Sequence, residues 1–319
     1  MIRFLLTRGH HYTIKKVKRS PLAPAVNSMN YDCLFRARWL RRGTYVFSDL
    51  DRLGYWDLEL AADLYLQMKS AGLPVLNNPA RFKNRHSLLR ALHAAGLNDF
   101  DAYRVHEIQA IKRFPVFLRK IQGHREPLSD LLQTREEAEK SVTAAIAAGT
   151  PEENLVLIEL AAEPVRPGVY RKLAAFRIGD KIVPHLSVHD KTWLVKYGQK
   201  FDDIEELYRE ENSILERNPF AGHLQKVFEV AGVEYGRADF GFYRGRIQVF
   251  EINTNPHLAP DGLHPSATRV ASMKLSWEKY MEALCSIDGS GRRLVRLADG
   301  KLQRLRPWKN LLVHTRKVQ

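Results

Sequence analysis

The sequence predicts an α/β fold that becomes α+β in its C-terminal part. Apolar runs with strand character alternate with amphipathic helices in the first hundred residues, whereas strands joined by tight turns are frequent after residue 170. The composition is that of a globular protein, with 45% hydrophobic and 27% charged residues. A chain of 319 residues is long enough for two or three packed subdomains.

The first part of the chain predicts an open sheet flanked by helices. Gly72 ends the first helix just beyond its C-cap, and Asn78 followed by Pro79 is a favourable start for the second helix. The predicted strands and helices alternate at residues 44–48, 56–71, 73–76 and 80–95.

The remaining elements follow from the same patterns. Strands are expected at residues 114–120, 154–160, 173–178, 181–188, 235–243 and 246–253, and helices at 135–148, 204–216, 220–231 and 266–285. A last hairpin is expected around Asp299 and Gly300. These elements predict four units, at residues 1–100, 101–200, 201–286 and 287–319, the last being a basic tail.

Charge and cysteine content limit the function classes. The formal net charge is +14 and the pI about 9.7, so the surface attracts anions such as nucleotides, nucleic acid or lipid head groups. Basic residues concentrate near both termini, which indicates either a solvated surface or the docking of an anionic partner. The two cysteines, Cys33 and Cys285, form no disulfide framework, so a reducing cytoplasm is expected. No apolar run approaches the ~20 residues of a membrane span, and the first residues are not apolar enough for a signal peptide.

The strongest chemical signal is segment 237–256, which predicts two strands around a turn. Side chains alternate between the faces of a strand, so Arg237 and Asp239 share a face of the first strand, and Glu251 and Asn253 share a face of the second. The apolar side chains between them are expected to point into a core: Phe240, Phe242, Phe250 and Ile252.

The turn decides whether the two polar faces coincide. A two-residue turn would place Asp239 and Glu251 on opposite faces of the sheet. A three-residue loop at 243–245, with Gly245 in the left-handed conformation, pairs Asp239 with Val249 and brings the polar groups together. The three-residue loop is therefore expected.

Asp239, Glu251 and Asn253 then supply two carboxylates and an amide oxygen on one face. These are hard oxygen ligands of the kind that magnesium prefers, with phosphate oxygens and water completing the shell. The simpler alternative is an amphipathic hairpin with a solvated acidic face. The apolar flanks and the string Glu-Ile-Asn-Thr-Asn-Pro argue for the metal site, and Pro256 fits a chain that leaves the sheet there.

These residues resemble the signature of the ATP-grasp superfamily. Its pattern is an aspartate on one strand, Glu-x-Asn on the next and a proline soon after, here Asp239, Glu251, Asn253 and Pro256. The resemblance extends over about residues 77–260 and implies an ATP-grasp fold preceded by a pre-ATP-grasp domain. It also implies ATP and two magnesium ions as cofactors, with Glu251 shared between the ions.

The resemblance also implies cations for the nucleotide phosphates. Arg119 stands where the family has a lysine at the end of a Pro-Val-x-x-Lys strand, and Lys120 follows it. Neighbours on a strand face opposite ways, so only one points into the cleft, and the alignment favours Arg119. Lys172, two residues before the position where many relatives have arginine, and Lys196 are further candidates. Each of the four is alternatively a surface charge.

The base and ribose contacts are implied by strand 155–160. Glu159 and the backbone of Leu160 and Ala161 would meet the adenine edge, and Glu163 would hold the ribose hydroxyls. The alternative is a buried strand with a carboxylate at its edge. The loop that normally closes over the phosphates has one glycine here, and His124 and Arg125 are its candidate contacts.

The implied reaction is that of a ligase. The γ-phosphoryl group of ATP passes to a substrate carboxylate, and an amine of a small molecule or peptide attacks the resulting acylphosphate. Arg237, expected opposite Glu251, would orient that carboxylate or stabilise the developing charge, unless it forms a structural salt bridge. Asn255 and His257 are expected to line the substrate end, and segment 48–52 faces the same cleft in the usual architecture.

Two other functions remain open at this stage. A phosphotransferase would use the same metal face and stop at the phosphorylated product. A non-catalytic module that binds anions or nucleic acid would rely on the basic tail, but no nucleic-acid fold signature occurs. A Gly-x-x-x-x-Gly-Lys phosphate loop, Gly-x-Ser-x-Gly and His-Glu-x-x-His are all absent from the sequence.

Overall fold

A computed structural model describes residues 1–123, 126–196, 198–199, 201, 204–258, 264–289, 291 and 293–297. Within these ranges the strands are β1 (Ile2–Leu6), β2 (Val26–Asn30), β3 (Trp39–Arg41), β4 (Thr44–Phe47), β5 (Val75–Leu76), β6 (Ala102–Tyr103), β7 (Val116–Lys120), β8 (Leu155–Glu159), β9 (Pro164–Arg166), β10 (Val169–Ile178), β11 (Lys181–Asp190), β12 (Tyr235–Tyr243), β13 (Arg246–Asn253) and β14 (Leu294–Arg296). The α-helices are α1 (Lys15–Arg19), α2 (Tyr31–Arg36), α3 (Tyr55–Ser70), α4 (Arg85–Ala94), α5 (Arg135–Ala147), α6 (Glu205–Arg217), α7 (Ala221–Ala231) and α8 (Ala267–Ser286). None of these helices is long and apolar enough to cross a membrane.

The first sheet is parallel and has the strand order β2, β1, β4, β5. Leu5 and Phe47 face α2 and α3, whereas Phe4 and Val46 on the other face pack towards α8. The predicted open sheet is confirmed, but β1 and β2 were not expected. A strand such as β1, with apolar side chains buried on both faces, shows no alternation and is difficult to recognise when it is only five residues long.

The helix expected at 80–95 begins later than the sequence predicts. Asn78 caps only a short 3-10 turn, Pro79–Arg81. The helix α4 follows Asn84, whose side-chain oxygen accepts a hydrogen bond of 3.0 Å from the backbone N–H of Ser87. Two asparagines in one stretch can both cap a helix, and local preference does not decide between them.

The second sheet is antiparallel, with the strand order β6, β8, β7. On one face, Ala138 and Val142 of α5 pack against Leu118 and Leu157. The opposite face presents Phe117 and other apolar side chains to a second cluster, which also forms a wall of the cleft described below.

The third sheet is antiparallel and has the strand order β11, β10, β12, β13, with β9 paired to β10. Phe228 of α7 packs on one face beside Phe240. Tyr280 of α8 covers the other face at Phe176, and the same cluster includes Phe4 of the first sheet. The helix α8 therefore joins the first and third sheets around one core.

The β12–β13 hairpin has a two-residue turn, so the expected three-residue loop is wrong. Arg244 and Gly245 form the turn with φ of 51° and 72°, as a type I′ turn requires. A β-bulge at Phe250 then shifts the register by one residue, so that Asp239 lies opposite Glu251. The two carboxylates share a face as predicted, but the bulge and not the turn brings them together.

The bulge also changes the direction of one aromatic side chain. Val249 packs with Phe240 in the core, whereas Phe250 joins the cluster on the cleft side, with its ring 6.3 Å from that of Phe100. The expectation that Phe250 points into the core behind the metal face is therefore wrong.

The end of the described chain returns to the first sheet. Strand β14 pairs with β3, and Leu297 is buried in the same core cluster as Phe47. The hairpin expected around Asp299 and Gly300 lies outside the described residues, as do most of the basic residues of the tail. The four predicted domain boundaries stay a prediction.

Candidate active site

An open cleft lies between the second sheet and the third sheet, with about 1010 Å³ of empty volume. Its walls combine side chains from β7, β8, β10, β12 and β13 with the segments that follow β8 and β11. The predicted residues that line it are Arg119, Glu159, Leu160, Ala161, Glu163, Lys172, Lys196, Asp239 and Glu251.

One end of the cleft is apolar and aromatic. The rings of Phe117 and Trp193 are 4.8 Å apart and tilted against each other, and Phe250 packs in the same cluster. Phe100 and Ile158 complete this part of the wall. A dry aromatic slot of this kind is suited to a flat, weakly polar group.

The other end of the cleft is built around Asp239, which is only 1% exposed. The guanidinium of Arg237 donates two hydrogen bonds to its carboxylate, at 2.7 and 3.2 Å. Nζ of Lys172, from the neighbouring strand β10, is 3.1 Å from the same carboxylate. Two cations therefore compensate one buried anion, as a buried carboxylate requires.

Arg237 lies opposite Asn253 and not opposite Glu251, which corrects the predicted pairing. Burial lowers the pKa of Arg237, but the adjacent Asp239 carboxylate outweighs that effect and holds the pKa above its ordinary value. Its Nη1 also donates to the backbone carbonyl of His257 at 3.2 Å. Arg237 therefore contacts both the Asp239 carboxylate in the cleft and the backbone of the segment after β13.

Glu251 contacts a cation that the sequence did not single out. Nη2 of Arg85 is 3.2 Å from its carboxylate, and the Arg85 side chain is only 8% exposed. The same guanidinium donates to the carbonyls of Lys120, Ile121 and Gly123. Arg85 thus connects the start of α4, the end of β7 and the second carboxylate.

Of the two adjacent cations at the end of β7, Arg119 lines the cleft. Burial lowers its pKa to about 10, Arg85 adds to this effect, and Glu251 opposes it. Lys120 points its backbone carbonyl to Arg85 and is not among the described residues that line the cleft. The strand geometry thus brings Arg119, and not Lys120, next to Glu251.

The predicted hinge residues lie at the end of β8, with Glu159 as its last residue and Leu160 and Ala161 directly after it. The Glu159 carboxylate accepts from the Asp101 backbone at 3.1 Å and from the Tyr103 hydroxyl at 3.0 Å, and it is 3.4 Å from Arg113. Burial and this carboxylate together raise the pKa of Tyr103 to about 12. Leu160 donates its N–H to the Pro115 carbonyl. The Glu159 side chain is therefore engaged within the fold.

The remaining nucleotide candidates lie at the rim. Glu163 accepts a 2.9 Å hydrogen bond from the backbone N–H of Arg244 in the hairpin turn. Nζ of Lys196 is 3.6 Å from the Glu126 carboxylate across the cleft mouth. His124 and Arg125 lie outside the described residues.

The segment after β13 leaves the third sheet at a polar junction with the residues around the first sheet. The side-chain oxygen of Asn253 accepts from the Asn255 backbone at 2.8 Å. The Asn255 amide donates to Asp49 at 2.8 Å and accepts from the Thr13 hydroxyl at 2.7 Å. The ring of His257 is exposed and lies 5.9 Å from that of Tyr12.

Asp49 holds this junction from the first sheet. It follows β4 in a left-handed conformation with φ of 54° and is 1% exposed. Its second carboxylate oxygen accepts from the backbone N–H and the hydroxyl of Thr7, the residue after β1. The carboxyl ends of adjacent parallel strands are where such folds bind ligands, and segment 48–52 does lie against Asn255.

Three solved structures have the same arrangement of elements. D-alanine–D-alanine ligase from Bacillus anthracis superposes with a TM-score of 0.51 and 12% identity, covering 90% of this chain and 95% of that chain. The ATP-grasp ligase PsnB was solved in complex with a phosphomimetic variant of its minimal precursor, Mg and ADP. It superposes with a TM-score of 0.50 and 12% identity, covering 89% of this chain and 96% of that chain. D-cycloserine synthetase DcsG superposes with a TM-score of 0.50 and 16% identity, covering 88% of this chain and 100% of that chain. The chain has the ATP-grasp fold.

The ATP-grasp fold predicted from the hairpin motif is therefore confirmed. Neither the profile of a known protein family nor a curated protein sequence matches the chain. The three solved structures are 12–16% identical to this chain, so the likeness they show is one of fold.

The carboxylates of this ATP-grasp hairpin fit a magnesium site by their chemistry. Asp239 and Glu251 lie directly opposite each other on adjacent strands, and such pairs are about 5 Å apart at Cβ. Among the described residues no group of three His, Cys, Asp or Glu side chains forms a metal cluster. A set of two carboxylates and an amide leaves room for phosphate oxygens and water, as magnesium prefers.

Sequence reasoning missed Arg85 and the aromatic wall of the cleft, and it included Asp49 only as part of segment 48–52. Arg85 is the first residue of a helix after an N-cap, and nothing local distinguishes it from a solvated charge. The wall collects Phe100, Phe117 and Trp193 from three separate segments. The position of Asp49 could have singled it out, because it follows a buried strand at the carboxyl edge of the predicted sheet, where ligands bind.

Proposed function

We propose that this ATP-grasp protein is an ATP- and magnesium-dependent ligase that activates a substrate carboxylate as an acylphosphate for attack by an amine. The observation that carries the proposal is the polarity of the cleft. One end is aromatic, and the other places Asp239 and Glu251 among four cationic side chains: Arg85, Arg119, Lys172 and Arg237. A nucleotide has the same polarity, with a flat base at one end and phosphates at the other.

The neighbours in fold support a ligase. Two of them are named ligases and the third a synthetase, and one was solved with Mg and ADP. When bound, ATP would supply the phosphoryl group and magnesium would neutralise its charge. Asp239, Glu251 and Asn253 would hold the metal, and we propose two ions with Glu251 shared between them.

The chain's own residues would position the nucleotide from both sides. Phe117 and Trp193 would stack on the base, while Leu160 and Ala161 would offer backbone groups to its edge. We assign Glu159 the role of holding this hinge in place, because its carboxylate is already bonded to Asp101 and Tyr103. Glu163 would reach the ribose at the rim.

Cations would orient the phosphates and balance charge that develops during transfer. Arg119 lies on β7 of the second sheet, Lys196 lies in the segment after β11, and Lys172 lies on the third sheet beside Asp239. A fixed cation in a partly buried cleft stabilises a developing negative charge without reorganising. Arg237 stays protonated and holds Asp239 while it contacts the His257 backbone, so it would act at the boundary between metal and substrate.

The substrate end lies where the metal strand meets the first domain. Asn255 has both ends of its amide engaged by Asp49 and Thr13, so we assign it a positioning role. His257 and Tyr12 expose their rings beside it and would contact the acid or the amine.

The first test is binding of ATP with and without magnesium, followed by thermal unfolding. A ligand at a hundred times its Kd stabilises the folded state by about 2.7 kcal/mol, which raises Tm by several degrees. We expect that rise with wild type only when magnesium is present, and its loss in Asp239→Asn. Asp180→Asn, an exposed aspartate in the turn of the same sheet, is the matched control and should behave as wild type.

The second test screens acids and amines for release of phosphate from ATP. Phosphate release that needs both an acid and an amine supports the ligase. A stable phosphorylated product that forms without an amine would identify a phosphotransferase instead. If magnesium and ATP together leave Tm unchanged, the nucleotide site itself is refuted.

We also propose that the protein acts in the cytoplasm. Both cysteines, Cys33 and Cys285, are free thiols on the surface, as expected of a reducing compartment. Fractionation of the producing cells would check this location.

A further inference from the structure

The outer face of the two-stranded sheet formed by β3 and β14 carries an unusual alternation of side chains. Trp39 lies opposite Arg296, and Arg41 lies opposite Leu294. Trp39 is 56% exposed and Leu294 is 60% exposed, whereas Leu40 on the inner face is buried in the first core cluster. We call the four exposed residues Trp39, Arg41, Leu294 and Arg296 the arginine ribbon.

More arginines surround the arginine ribbon. Four further exposed arginines lie beside the two strands: Arg36 at the end of α2, and Arg38, Arg42 and Arg293. With Arg41 and Arg296 of the ribbon they make six. Within the described part of the chain none of these six arginines has an ion pair with a carboxylate. Six guanidinium groups in and beside two short strands, with no carboxylate partner among the described residues, make a strongly positive surface.

The arginine ribbon is remote from the cleft. It precedes β4 in the chain, and Arg42 bonds to Arg293 next to the start of that strand. Asp49 and Thr7, which belong to the substrate junction, lie at the opposite ends of β4 and β1. A strand of five residues spans roughly 17 Å, so the ribbon and the junction occupy opposite ends of the first sheet.

We propose that the arginine ribbon docks the protein on an anionic lipid surface. Guanidinium groups bind lipid phosphates through paired hydrogen bonds, and exposed tryptophan and leucine side chains insert at the level of the head groups. The alternation places each large apolar side chain between cations, so insertion and phosphate binding occur over the same area.

The sequence that follows β14 has the same chemistry. Residues 298–319 interleave apolar and basic side chains: Lys301, Leu302, Arg304, Leu305, Arg306, Trp308, Lys309, Leu311 and Leu312. Basic segments with regular leucines and a tryptophan are typical of membrane surfaces. Nucleic acid would use the arginines and Trp39 but has no use for Leu294 or for the leucines that follow, which favours the lipid surface.

The test is sedimentation of the full chain with vesicles. Vesicles of phosphatidylcholine alone are compared with equimolar phosphatidylcholine and phosphatidylglycerol, at low and high salt. We expect binding to the anionic vesicles only, weakened by salt. Arg41→Ala with Arg296→Ala should weaken it about 25-fold, since each basic residue at such a surface contributes roughly fivefold. Trp39→Ala with Leu294→Ala should weaken it about tenfold.

Two matched controls separate the ribbon from net charge and from exposed apolar area. Arg209→Ala with Arg217→Ala removes the same charge from exposed positions on α6, and Leu66→Ala removes an exposed leucine from α3. Both should bind vesicles like wild type.

Three outcomes would overturn the proposal. The first is equal binding to neutral and anionic vesicles, and the second is unchanged binding in both ribbon variants. The third is the absence of vesicle binding together with salt-sensitive binding of a single-stranded oligonucleotide that the ribbon variants lose, which would assign the surface to nucleic acid.

Discussion

Different interactions position the side chains at the two ends of the cleft. At the aromatic end, Phe117, Trp193 and Phe250 pack by contact, and their positions depend on shape. At the charged end, Asp239 and Glu251 are placed by pairing with cations from three different elements. We therefore expect the aromatic end to tolerate a change in the size of a side chain. The charged end should be sensitive to the loss of any one partner of Asp239 or Glu251.

This difference has an energetic origin. Removal of part of an apolar wall loses contacts and some buried area, and neighbours relax into part of the space. Removal of one partner from a buried ion pair leaves a charge without compensation, which is costly beyond the lost attraction. Substitutions at the charged end should therefore act on catalysis and stability, and those at the aromatic end mainly on affinity.

The largest expected effect is that of Glu251→Gln. The change removes an anionic metal ligand and leaves the size of the side chain unchanged, so turnover of ATP should fall about a thousandfold or more. Release of ADP measures it, and a normal melting transition shows that the fold is intact. Glu229→Gln, on the exposed side of α7, is the control. Turnover at the wild-type rate in Glu251→Gln would refute the metal assignment.

Arg85→Ala should affect both activity and stability. It removes the ion pair between Arg85 and Glu251, although Arg119 stays near that carboxylate, and it takes the Arg85 donor away from three backbone carbonyls. The free energy of unfolding should therefore fall by about 2–3 kcal/mol and turnover by about a hundredfold. Denaturant unfolding and ADP release measure the two effects. Arg90→Ala removes a more exposed cation from the same helix and should cost less than about 1 kcal/mol. Equal losses for the two variants would contradict the special role of Arg85.

Asn255→Ala tests whether the junction with the first domain positions the reacting groups. We expect kcat to fall about tenfold while the Kd for ATP stays the same, since a misplaced segment impairs alignment and not nucleotide binding. Asp49→Asn should have a smaller effect of the same kind, because an amide can still accept one of the hydrogen bonds. Independent, additive effects in the double variant would show that the two residues do not act through their shared hydrogen bond.

The smallest effect is expected at the aromatic end. Trp193→Leu keeps an apolar side chain but removes the aromatic ring that packs against Phe117, so the Kd for ATP should rise about five- to tenfold. The rate at saturating ATP should change by less than about twofold. Trp56→Leu, a half-exposed tryptophan on α3, is the control. A large loss of kcat in Trp193→Leu would contradict the expectation that the aromatic end acts mainly on affinity.

The hairpin shows how far local reasoning extends. Both strands were predicted with the residues they have, because their alternation and apolar flanks are local properties. The turn was predicted wrongly, since a bulge that was not foreseen, and not a longer loop, brings Asp239 opposite Glu251. The bulge at Phe250 has no sequence signal of its own, and its ring packs in the cluster that includes Phe100 and Phe117.

The candidate site shows the same division. The residues of the motif, Asp239, Glu251 and Asn253, could be chosen from their types and spacing. Their partners could not: Arg85 is 166 positions from Glu251, and Asp49 is 206 positions from Asn255. Only the packing of the sheets brings such pairs together, since spacing along the chain carries no signal over that distance.

The sequence by itself determined the residues of the ATP-grasp motif and most of the longer strands and helices after residue 44, because periodicity, turn residues and the alternation of a strand are short-range properties. The tertiary structure alone decided which cation faces which carboxylate, which aromatic rings form the wall and how the hairpin is registered. Those features depend on distances between elements far apart in the chain, and burial sets them by requiring that each buried charge and each apolar face find a partner.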